Sequence, residues 1–133
     1  MEITFHANAV AVVHPDNMCF LVGFADDKLD TQQYLMLQRA FEDDVDEQEV
    51  ELGHDTYYLE WRDQSNSLNG GIKRLELHRD HVACRFLPEA SAALDGATSA
   101  AIRFNLDEPE FRLLRQRLKD IFRGTAVLHV LAD

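Results

Sequence analysis

Cysteine is scarce: the 133 residues hold two, Cys19 and Cys84, each inside an apolar run. So few thiols exclude a disulfide-stapled scaffold, and their setting predicts buried, reduced side chains. Proline and glycine are few, at three and six, and hydrophobic residues make up 46% of the chain, a balance that argues against a wholly disordered chain. No apolar run approaches the ~20 residues that cross a bilayer as a helix, so no membrane role is expected. Met1 to Phe5 contains Glu2 and no basic stretch ahead of an apolar one, which predicts no secretory leader and a cytoplasmic protein. Positive charge is also short, with 13 Lys and Arg against 24 Asp and Glu and a net charge of -11. That imbalance argues against binding nucleic acid, whose phosphates would be repelled, and favours a cationic partner.

What is present reads as a single domain spanning residues 1–133, a length that buries a core without staples. In Tyr34-Leu35-Met36-Leu37-Gln38-Arg39, alternation places Leu35 and Leu37 on one face and Tyr34, Met36 and Gln38 on the other. Both faces are largely apolar, which predicts a strand in the middle of a sheet. Ahead of it, Ile3-Thr4-Phe5 and Ala7 to Val13 read as one bent strand or two short ones. His14-Pro15-Asp16-Asn17 is a turn signal, and Met18 to Ala25 is the returning strand. Asp26 to Thr31 links that strand to Tyr34–Arg39, giving a three-stranded meander.

Further along, Tyr57, Leu59 and Trp61 form the core face of a strand whose other face carries Tyr58, Glu60 and Arg62. Asp63 to Gly71 is polar and reads as a long loop. Ile72–Leu77 and His81–Phe86 form a second hairpin turning at Arg79-Asp80. Pro88 to Leu94 reads as a short helix stopping near Gly96, and a strand follows at Ala100–Asn105. Asp107 and Glu110 carry a capping-box pattern ahead of an apolar stripe of Phe111, Leu114, Leu118, Ile121 and Phe122. That stripe predicts one long helix, ended by Gly124, with Arg115, Arg117, Lys119 and Arg123 toward its outer side. Ala126–Leu131 returns to the sheet. The expected class is α+β: a mainly antiparallel β-sheet of seven to nine strands, with one long helix in the C-terminal half packed against it.

No catalytic or metal-binding pattern survives inspection. His78-Arg79-Asp80-His81 sits at a hairpin turn with no third ligand at useful spacing, so these residues read as surface turn groups. His6, His14, His54 and His129 are scattered, and none accompanies a recognisable nucleophile motif. Asn69-Gly70-Gly71 lacks the lysine and the strand-to-helix context of a phosphate loop and reads as a turn needing positive backbone angles. No cofactor is implied. The one concentrated feature is acidic: Glu42, Asp43, Asp44, Asp46, Glu47, Glu49 and Glu51, which read either as a solvated, solubilising segment or as a field that steers a basic protein into contact.

Phe5-His6-Ala7-Asn8, Val22-Gly23-Phe24-Ala25-Asp26, Tyr34 to Arg39, Leu52-Gly53 with Tyr57-Tyr58-Leu59-Glu60, and Gly70-Gly71-Ile72 occur in an order that resembles the immunity protein 10 family of bacterial polymorphic toxin systems. The resemblance implies a non-catalytic antidote that binds and neutralises a cognate toxin domain, and it brings no contact residues with it. From the residues alone, the expected partner-binding groups are Glu42, Asp43, Asp44, Asp46, Glu47 and Glu49 for steering a basic toxin, with Tyr58 as an aromatic anchor. The rival classes are a small enzyme, which would need a cleft of converging titratable groups, and a ligand-binding domain, which would need an apolar pocket.

Overall fold

In a computed structural model of the chain, the described residues are 2–13, 19–27, 29–40 and 57–131. The expected turn at His14–Asn17 and the acidic segment lie outside them. The first apolar run is two strands, β1 (Glu2–Ala7) and β2 (Ala9–Val13), and they belong to different sheets. The break falls at Asn8, whose side-chain amide donates to the Asp26 carbonyl at 2.9 Å.

From β2 onward the chain builds one sheet as a continuous antiparallel meander: β2, β3 (Cys19–Ala25), β4 (Tyr34–Ala40), β5 (Tyr58–Trp61) and β6 (Asp63–Asn69), in that spatial order. β4 is its central strand, as its two apolar faces require. Val10, Phe24, Leu35 and Trp61 lie in one register row, and Val12, Val22, Leu37 and Leu59 in the next, so the inner face is apolar across four strands.

The second sheet runs β1, β9 (Ser99–Phe104), β8 (His81–Phe86), β7 (Ile72–Leu77), β10 (Leu128–Val130). Its interior pairs are antiparallel, while β1 lies parallel to β9 and β10 parallel to β7. The α+β class therefore holds, but the described residues form ten strands in two sheets rather than seven to nine in one.

Among the described residues two helices complete the core. α1 (Pro88–Ala93) starts on a proline and buries Ala90. α2 (Glu108–Ile121) opens on the capping box: Glu110 N donates to Asp107 Oδ1 at 2.8 Å, and Asp107 N donates to Glu110 Oε1 at 3.1 Å. Phe111, Leu114, Leu118 and Ile121 are fully buried, and the helix packs on β2, β3 and β4. Buried side chains from both sheets and both helices form one cluster, joined by rings such as Phe24 on Phe104 (6.2 Å between centroids) and Tyr57 on Phe122 (4.8 Å).

The polar stretch read as a loop is β6. It is an edge strand, so its backbone needs only β5 as partner and its side chains stand mostly in water, which removes the apolar alternation that marks a strand. A single residue, Arg62 at φ 64°, turns β5 into it, beside a register shift at Glu60/Trp61. The glycine pair that ends β6 is required at Gly71: its φ is 97°, and an added Cβ would meet Ala90 Cβ and Leu68 Cδ1 at 2.8 Å. The basic residues of α2 are less uniformly outward than their spacing predicts. Arg117 is largely buried in an ion pair with Asp120 at 2.8 Å, its guanidinium 5.3 Å from the centre of the Phe20 ring.

Candidate functional site

The outward face of the first sheet is built from the residues that alternate with its core rows. Gly23, Met36, Glu60 and Ser67 form one cross-strand row, and Leu21, Gln38, Tyr58 and Asn69 the next. Tyr34 stands opposite Ala25, one row further along. At the centre of this face Glu60 is 7% exposed, although its strand position points it away from the core. Two phenols enclose it: Tyr34 donates to Oε2 at 2.5 Å and Tyr58 donates to Oε1 at 2.6 Å. Burial, then the hydrogen bond to the Glu60 carboxylate, raise both tyrosines above the ordinary phenol range. Both therefore stay protonated at neutral pH and keep donating, which fixes two aromatic side chains on this surface.

Of the expected contact residues, Tyr58 is placed by the structure, half-buried on this face. Glu42, Asp43, Asp44, Asp46, Glu47 and Glu49 lie outside the described residues. β4 ends at Ala40, β5 begins at Tyr58, and Gln38 pairs with Tyr58. The residues missed from sequence are Tyr34 and Glu60 as members of one cluster. Alternation sets Glu60 on the outward face of its strand and Tyr34 opposite Leu35 and Leu37 on its own, and only the β4–β5 pairing shows that they meet.

The His78–His81 turn is a compact polar knot. The two imidazoles stack with centroids 4.2 Å apart and an interplanar angle of 5°. His81 Nδ1 lies 2.6 Å from Asp80 Oδ1, and His78 Nε2 lies 3.2 Å from Glu76 Oε1. Asp80 is held below its usual range by His81, and Glu76 by Arg74 and then His78. Among the described residues no group of three His, Cys, Asp or Glu side chains is placed to hold a metal ion. Arg79 between them turns away, donating to the Leu106 carbonyl at 2.8 Å with its guanidinium over the Phe111 ring.

The outer face of the second sheet carries an open groove of about 430 Å³ over Ala83 and Ala101, bordered by Glu2, Arg74, Glu76 and Arg85. Its charges are largely spoken for: Arg74 pairs with Glu76 at 2.7 Å, and Glu2 accepts from the Ser99 hydroxyl at 3.0 Å. No helix among the described residues is long and apolar enough to cross a membrane.

A family model described as immunity protein 10 matches residues 6–112. No curated protein and no solved structure matches significantly. The family match begins on β1, takes in the whole meander with its Tyr34–Glu60–Tyr58 cluster, and ends in the first turns of α2, so by far the greater part of the fold is covered. The chain belongs to the immunity protein 10 family.

Proposed function

We propose that this chain is a non-catalytic, cytoplasmic antidote that binds a cognate bacterial toxin domain and holds it inactive. The observation that carries the reading is the family match across residues 6–112. Charge supports a basic partner: at -11 the chain repels nucleic acid and attracts a positively charged protein. Glu42, Asp43, Asp44, Asp46, Glu47 and Glu49 steer the encounter. The outward face of the first sheet receives the docked toxin, with Tyr58 and its neighbour Tyr34 as anchors. Steering needs only long-range field, whereas anchoring needs rigid apolar area. The Glu60 clasp supplies that rigidity by removing rotamer freedom before binding. A basic cleft occluded in this way is blocked stoichiometrically, with no chemistry performed by the antidote.

The test is co-expression with the toxin domain encoded by a neighbouring reading frame, followed by stopped-flow association with the purified toxin. A stable complex with loss of toxicity is expected. Reversing the six acidic charges is expected to slow association at least ~10-fold at low salt and to flatten its salt dependence. Tyr58→Ala is expected to act on dissociation instead, costing about 1–2 kcal/mol of affinity. Unchanged association after charge reversal removes the segment from steering, and absence of any complex with the neighbouring toxin overturns the reading.

A further inference from the structure

The two five-stranded sheets have four edges, and three of them are protected. β6 is polar but for Leu68 and follows a register shift, β10 is only three residues long, and β1 carries Glu2, Thr4 and His6 on its exposed side. β2 is different. It reads Ala-Val-Ala-Val-Val, with no charge, no proline and no bulge, and among the described residues nothing pairs with its far side. Such a bare edge is a template for another strand. A second observation lies beside it: a cavity of about 170 Å³ lined by Val10, Val12, Leu106, Glu110 and Leu113 continues the core face past the edge, beneath α2. Leu113 on that helix is 44% exposed, one of few large apolar side chains among the described residues left in water.

We propose that β2 is a self-pairing edge, and that two copies of this chain join antiparallel through it into one continuous ten-stranded sheet. The sequence of the strand is self-complementary about Ala11. With a two-fold axis there, Ala11 faces Ala11 of the second copy and Val10 faces its Val12. Val10 and Val12 lie on the inner face, opposite Phe24 and Val22, so the paired valines of both copies extend one apolar layer. Both α2 helices then lie on the same side of the joined sheet, and each Leu113 closes over the other copy's valines. Electrostatics selects the same place: two chains of net charge -11 repel, so contact between copies requires a strip without charge, and β2 supplies one. A five-residue edge is about 17 Å long and buries less than the ~800 Å² per partner of standard interfaces, so the dimer is weak and concentration-dependent.

The experiment is sedimentation velocity on the purified chain from about 10 to about 300 μM, a range that resolves micromolar association. The expected result is a mass rising from monomer toward dimer. Ala11→Lys places two lysines face to face at the axis, and Leu113→Glu replaces the seam's exposed leucine by a second carboxylate near Glu110. Each is expected to hold the chain monomeric with an unchanged circular dichroism spectrum. If Ala11→Lys fails to fold, Leu113→Glu decides alone. A wild-type chain that stays monomeric throughout overturns the proposal, and so does a dimer that both variants leave intact. A monomeric wild type whose affinity for a toxin falls with Ala11→Lys also overturns it, since the edge then takes a partner's strand.

Discussion

Arg39, next to last in β4, lies on the inner side of the sheet, where the residue is 9% exposed. From Nη1 it donates to the carbonyls of Ile121 at 3.1 Å and Arg123 at 2.7 Å, the last residue of α2 and one two positions beyond it. Helix C-termini leave carbonyls without intrahelical donors, and a cation there also meets the negative end of the helix dipole. Arg39→Met keeps most of the apolar stem but strands those carbonyls in the interior. It is expected to cost about 2–3 kcal/mol, read as a lowered urea midpoint at constant slope. A loss under about 0.5 kcal/mol, as for an ordinary surface substitution, would show that the carbonyls find other donors. Nothing in the local sequence gives this role away, because an arginine closing an apolar strand reads as the point where the strand meets water. Glu60 is similar. Alternation correctly turns it away from the core, yet two tyrosines from neighbouring strands bury it anyway.

At the scale of elements the sequence speaks most clearly where one stretch decides its own structure. α2 is legible end to end because cap, stripe and stop are local. Asp107 and Glu110 exchange hydrogen bonds as their spacing requires, and each stripe residue is buried. Asp107→Ala is expected to cost about 1 kcal/mol, with Asp107→Ser recovering most of it, since serine offers the same acceptor to the Glu110 amide. Chemical denaturation of both variants measures this, and equal losses for alanine and serine would assign the effect to something other than the cap. The hairpins of the meander and of β7–β8 were legible for the same reason. β6 was not: an edge strand is defined by its neighbour's hydrogen bonds, and a run such as Gln64-Ser65-Asn66-Ser67 carries no mark of them. The parallel pairings of β1 with β9 and β10 with β7 join residues far apart in the chain, and no local pattern specifies them. For that reason one expected sheet became two.

The whole molecule ties its titration to its folding. The chain has three tyrosines, and the fold raises all of them. Tyr57 is pushed up to about 12 by burial, its hydroxyl accepting from Ile72 N at 2.8 Å. Tyr34 and Tyr58 are raised by burial and by the Glu60 carboxylate they clasp. The Cys84 thiol is likewise pushed up to about 12 by burial. For an acid that is neutral when protonated, a folded value above the unfolded one means the unfolded chain loses its proton first. The stabilisation is therefore complete below the unfolded values, about 8.5 for a thiol and about 10 for a phenol, and it drains away as pH rises toward 12. Stability is thus expected to fall from about pH 9 upward, and tyrosinate absorbance near 295 nm is expected to appear together with loss of the folded circular dichroism signal. In concentrated urea the same three phenols are expected to titrate near pH 10. Because the tyrosines lie on both the inner and the outer face of the first sheet, one absorbance curve samples both. A tyrosine that ionises near pH 10 while the spectrum stays native would mean that the Glu60 clasp is open in solution, and that the outward face is not held as the structure places it.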